Sequence, residues 1–280
     1  MGFAISCCNC SPPHLAVDVL GRIGYIAALE NTPPVQPPDP AAEKPLTLPE
    51  RLLFLLTAPR RLFGELPFEP HRPSNWIVPW VILSLTMIIS GVVMLTHESL
   101  MGQISQIMEE TLRAATEDGA FSAEDVEWQM RLVGPGSPIF AFIWIAGPAA
   151  AALVTIFALA FFYSLIGRSA MNAHAPFMKV VEVVGLTSLV RALETLVTLG
   201  CVLLTGSILA TPSAALVLET FDPASTLHFA LSRLNPFTFW ALGVTALGLA
   251  ELFERDFPKV FVLILALWFL WNMMTLLFAI

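Results

Sequence analysis

Trp76 to Thr96 reads WIVPWVILSLTMIISGVVMLT, an uninterrupted run without one charged side chain. A helix needs about 20 mostly apolar residues to cross roughly 30 Å of hydrocarbon. The run is continuously apolar and lacks the period-two alternation of a barrel strand, so it predicts a membrane-spanning helix. Outward from it, the same criterion finds four more runs, at about 138–166, 180–208, 236–253 and 259–280. With 76–96 they predict an all-α polytopic integral membrane protein with about five transmembrane helices, its membrane domain covering 76–280.

Composition agrees. Of 280 residues 56% are apolar and only 13% charged, about half the charged share of a soluble domain. That excludes a wholly soluble protein, a disordered chain and a small disulfide scaffold. A net charge of -8 also argues against nucleic acid as a partner, since phosphates are held by basic patches.

The flanks set an orientation. Trp76 and Trp80 open the first run, Trp144 lies early in the second and Trp240 begins the fourth, as aromatic rings do at a headgroup layer. Lysines and arginines favour the cytoplasmic side. With the N-terminus inside, ten fall on that side, three (Arg113, Arg131 and Arg233) on the other, and Arg191 within a span. The outer loop, 97–136, is acidic instead, with Glu98, Glu109, Glu110, Glu117, Asp118, Glu124, Asp125 and Glu127. The expectation is a cytoplasmic N-terminus and an external C-terminus, in the cytoplasmic membrane of a bacterium or an endomembrane of a eukaryote.

Three segments outside the spans have distinct characters. Residues 1–48 are Pro-rich, from Pro33 to Pro45 especially, and read as a flexible cytoplasmic tail. Its Cys7, Cys8, Cys10 and His14 allow three readings: a cramped zinc site, a lipidation site, or a reduced and inert tail. Residues 49–75 interleave Leu52, Leu53, Leu55, Leu56, Leu62 and Phe63 with Arg51, Arg60 and Arg61. This predicts an interfacial amphipathic segment with apolar chains in the acyl boundary; an ordinary packed cytoplasmic helix is the alternative. In the outer loop, Ile104, Ile107, Met108 and Leu112 repeat at helical spacing, and Ser122-Ala123-Glu124-Asp125 resembles a capping sequence.

Residues for catalysis are missing. His97-Glu98 begins like a zinc-protease motif, but Met101 stands where its second histidine belongs. The five histidines are scattered, and neither a nucleophile elbow nor a phosphate loop occurs. The reading is therefore non-enzymatic and without cofactor. The informative polar residues are Glu182, Arg191 and Glu194, inside the third span, where a charge costs roughly 2.5–3.5 kcal/mol on insertion scales and is usually paired. Arg191 and Glu194 are three apart and share a helical face. Glu182 lies two and a half turns away, nearer the cytoplasmic end. Such a cluster serves either as an ion pair that fixes packing or as a relay for a proton or substrate.

The order of motifs resembles a known family. LLTAPRRLFGEL at 55–66 precedes NWIVPW at 75–80; SAEDVEWQMRLV at 122–133 ends the acidic loop; LSRLNPFTFWALGVTALGLAELF at 231–253 leads into and forms the fourth span. Pro59 with Phe63, Trp76 with Pro79, and Asn235, Pro236, Phe237 and Trp240 before Gly243 and Gly248 are the matching residues. Over about Leu52 to Ile280 the chain resembles the Yip domain family, its bacterial-type members in particular. The resemblance implies five spans and a cytoplasmic N-terminus. Eukaryotic members bind Rab-type GTPases, but they begin the first span with Asp-Leu-Tyr/Trp-Gly-Pro where this chain has Ser74-Asn75-Trp76-Ile77-Val78-Pro79. Gly243 and Gly248 give the last motif a packing rationale, close helix contact. The expected function is a scaffold or adaptor in membrane organisation or trafficking. Its partners would be the lipid bilayer, a membrane or cytoplasmic protein, or a second copy. The alternative is a small transporter or permease subunit using Arg191 and Glu194.

Overall fold

The computed structural model describes residues 46–117, 119, 122–218 and 226–279. The Pro-rich tail, with Cys7, Cys8, Cys10 and His14, lies outside the described residues. Among those described, every regular element is helical: α1 (Leu48–Thr57), α2 (Pro59–Glu65), α3 (Ser74–Thr96), α4 (Glu98–Glu117), α5 (Ala123–Val133), α6 (Pro138–Met171), α7 (Phe177–Thr205), α8 (Thr226–Arg233), α9 (Pro236–Phe253) and α10 (Phe257–Ala279). Short 3-10 turns occupy Leu66–Phe68 and Ala214–Val217. Helices α3, α6, α7, α9 and α10 are long and apolar enough to cross a membrane, and the protein is an all-α integral membrane protein.

Local chemistry sets the helix ends. Thr47 and Glu50 form a capping box at α1, and Ser122 with Asp125 forms another at α5, each satisfying backbone donors that the first turn leaves open. Ser137 and Asn235 cap α6 and α9, each followed by a proline at the first helical position, where its missing N–H costs nothing. Helix α6 runs to Met171, past the expected end near 166, and stops where Asn172 turns left-handed at φ 50°. Its 34 residues span about 51 Å at 1.5 Å per residue, well beyond the hydrocarbon.

Helix α7 is the centre of the bundle, touching α3, α6 and α9, while α10 packs on α9. Every residue of α7 from Lys179 to Val190 is buried, as expected of a helix surrounded by protein rather than lipid. Glycine sets the closest approach. A Cβ on Gly185 would fall 2.3 Å from the Trp76 Cβ, so α3 and α7 meet almost backbone to backbone. On α9, Gly248 makes room for Val183 and the Phe63 ring, whereas Gly243 has nothing within 4 Å. Of the two glycines expected to permit close contact, only Gly248 does so.

The segment ahead of the first span packs one face on the bundle. Leu55, Leu62, Phe63 and Leu66 are fully buried, with α2 packed on α9 and α1 on α7. Gly248 opens a seat for the Phe63 ring. Leu53 and Phe68 stay exposed, Phe68 to 89%.

Candidate functional site

Two polar centres lie along α7. Near its start, Glu182 is wholly buried and both carboxylate oxygens are engaged. His71 Nδ1 lies 2.5 Å from Oε1, and the Arg72 backbone N–H donates to the same oxygen at 2.9 Å. Asn75 Nδ2 donates to Oε2 at 2.8 Å, and Lys179 Nζ lies 3.4 Å from it. Lys179 also donates to the carbonyls of Leu66 at 3.1 Å and Pro70 at 3.3 Å. One buried carboxylate thus collects donors from the loop before α3, from the first turn of α3 and from its own helix. Next to it, buried Arg51 makes a two-pronged ion pair with Glu69, which Arg72 approaches to 3.9 Å. The network explains how a carboxylate tolerates full burial: each oxygen is satisfied, and a cation lies beside it.

The second centre is Arg191 with Glu194, midway along the 29-residue α7, about 20 Å from either end. Arg191 Nη1 donates to Glu194 Oε2 at 2.7 Å and to Thr238 Oγ1 at 3.4 Å. Asn235 Nδ2 donates to Glu194 Oε1 at 2.6 Å, while Asn235 Oδ1 accepts the Phe237 N–H at 2.9 Å. A single asparagine therefore caps α9 and holds the carboxylate of α7. The partial positive end of α9 also faces Glu194, which favours its charge. Because α9 begins level with the middle of α7, the last three turns of α7 continue past it.

Arg191 and Glu194 border a cavity of about 650 Å³, within the range of small-ligand sites. It runs beside Leu83 to Met94 on α3, Pro148 to Tyr163 on α6 and Val184 to Leu199 on α7, with Ala241, Leu242 and Thr245 of α9 at its wall. The lining is mostly apolar with scattered hydroxyls. No group of three His, Cys, Asp or Glu that could hold a metal occurs among the described residues.

The three charged residues of the third span therefore form two centres. Glu182 stands apart from Arg191 and Glu194, and its partners His71 and Asn75 lie over a hundred positions away in sequence. No spacing rule links them. Asn235 was visible as a residue of the family motif, but nothing local ties its amide to Glu194.

The family comparison agrees with this architecture. The model of the Yip1 domain matches residues 53–280, from α1 through the last span. No curated protein and no solved structure gives a significant match to the chain. The matched region takes in all five apolar helices and both polar centres, and the chain belongs to the Yip1 domain family.

Proposed function

We propose that this protein is a non-enzymatic scaffold or adaptor of the Yip type, with its N-terminus in the cytoplasm and its C-terminus outside. The observation that carries the reading is the Glu182 centre. It ties residues 66–75 to the central helix, and α1 and α2 are packed on the bundle beside it. Such a segment is a rigid ledge at the basic end of the bundle, suited to a protein partner because docking there costs little ordering entropy. Phe68, Leu53, Arg60 and Arg61 are among its exposed side chains, and arginine is enriched in binding hot spots.

The permease alternative asks both Arg191 and Glu194 to serve a moving substrate. Glu194 has each oxygen bonded, one to α7 and one to α9, which favours a packing role for the carboxylate.

Two experiments test the reading. A photo-crosslinking residue at position 68 should give one discrete protein adduct in native membranes, lost when Arg60 and Arg61 are both replaced by Ser. Recovery of the chain alone would sink the adaptor role. A reporter fused after Ile280 should signal from outside; a cytoplasmic signal would reverse the orientation and remove the ledge from the cytoplasmic side.

A further inference from the structure

Arg191 has more donors than its protein partners use. Only Nη1 is engaged, by Glu194 and Thr238. Nε and Nη2 make no hydrogen bond among the described residues, and the side chain is 44% exposed where it borders the cavity. A guanidinium presents five donors and cannot shed its charge. Within a membrane-spanning helix, water reaches unspent donors only through a cavity, or a ligand supplies the acceptor.

The charge balance decides what kind of acceptor fits. Arg191 is already matched by Glu194 at 2.7 Å, so the centre is neutral as a pair. An anionic headgroup would leave an excess negative charge in a low-dielectric setting, where such charge is costly. A carbonyl oxygen would satisfy the spare N–H groups without that cost. The rest of the lining suits a long aliphatic chain: Leu83, Met87, Ile156, Leu159 and Leu199 form walls that run about 16 Å along α3 and about 22 Å along α6 at 1.5 Å per residue.

From these observations we infer that the cavity binds an uncharged lipid, with carbonyl oxygens at Arg191 and an aliphatic tail along α3 and α6. Two sources share that chemistry, a neutral glycerolipid and a long-chain quinone. The inference goes beyond the scaffold role and does not depend on it.

The test is native mass spectrometry of the full chain, purified in detergent, stripped of lipid and offered equal amounts of dioleoylglycerol, a long-chain quinone and oleate. Wild type should retain one dioleoylglycerol or one quinone per chain, the preferred one naming the source, in at least tenfold preference to oleate. Arg191→Ala should lower that retention about tenfold. Thr155→Trp should do the same by filling the cavity; Thr155 is exposed and bonds only Ala151 O of its own helix, so this variant leaves the charge pair intact. Retention of oleate ahead of both neutral lipids would overturn the inference. So would no retention by wild type, or equal retention by all three chains. If either variant fails to fold, the preference of wild type between neutral and anionic lipid still decides.

Discussion

Glu182 and Glu194 sit on one helix, twelve residues apart, and the fold treats them in opposite ways. Glu182 is 0% exposed and surrounded by donors from three segments. Glu194 is 18% exposed in its side chain and is held by two donors, beside an arginine that is itself half open. The first carboxylate is closed by chain that precedes the membrane and folds back onto α7. The second is closed only by the start of α9, and a cavity remains next to it. A charge inside a membrane protein can thus be a finished joint or an unfinished one, and the donors left over tell which.

The largest effect should follow from breaking the finished joint. Glu182→Leu leaves Lys179, 8% exposed, buried without its counter-ion and strips acceptors from His71 and Asn75. Removing one member of a buried pair costs about 3–5 kcal/mol, so thermal unfolding in detergent should fall steeply and residues 48–72 should become open to protease. A second change, Lys179→Met on the same background, should recover part of the loss, because the stranded cation is then gone. Unchanged stability of Glu182→Leu would erase the contrast between the two centres.

Gly185 lies between them and tests whether the closure of α7 against α3 is equally strict. Gly185→Ala places a methyl group 2.3 Å from the Trp76 Cβ and 2.6 Å from its Cα, and overpacking of this kind costs about 1–3 kcal/mol. Gly243→Ala meets nothing within 4 Å and should be neutral or slightly stabilising, given the helix propensity of alanine. At the open centre, Asn235→Ala removes one cap and one interhelical bond. Such bonds average roughly 0.6 kcal/mol in membranes, so the melting shift should be well below that of Glu182→Leu.

What the sequence could reveal follows the range of the forces involved. Apolar run length is a local signal, and it located five spans because a helix in hydrocarbon must satisfy its own backbone. The pairing of Arg191 with Glu194 was also local, three residues on one face. The Glu182 centre was invisible, since His71, Arg72 and Asn75 reach it only after the chain has crossed the membrane twice and returned. The fate of Leu55, Leu62 and Phe63 was hidden for the same reason: an amphipathic segment looks alike whether it faces lipid or a groove made by Gly248. Gly185 carried no motif, yet it lets α3 and α7 meet almost backbone to backbone.

A third carboxylate sharpens the comparison from the solvent side. Asp125 is exposed, and its pKa lies below the ordinary aspartate value because the Ser122 hydroxyl and then the Ser122 N–H donate to it, at 2.6 Å and 3.2 Å. A depressed folded-state pKa means that the contribution to stability is present above the unfolded pKa, near 3.9 for aspartate, and fades as pH falls through the lower folded value. The expected outcome is local and small: amides at the start of α5 should exchange faster with solvent as pH drops from about 5 to below 3, after correction for the intrinsic rate. Ser122→Ala should weaken that pH dependence, because the hydroxyl is lost and only the backbone N–H still holds the charged form. At any one pH, Ser122→Ala should leave the amides of α7 around Glu182 unchanged, since the donors to that carboxylate come from elements that the Ser122 cap does not touch. If loss of protection at α5 spread to α3 and α7, the loop helices and the buried joint would be one cooperative unit, and the contrast drawn between local caps and long-range closure would fail.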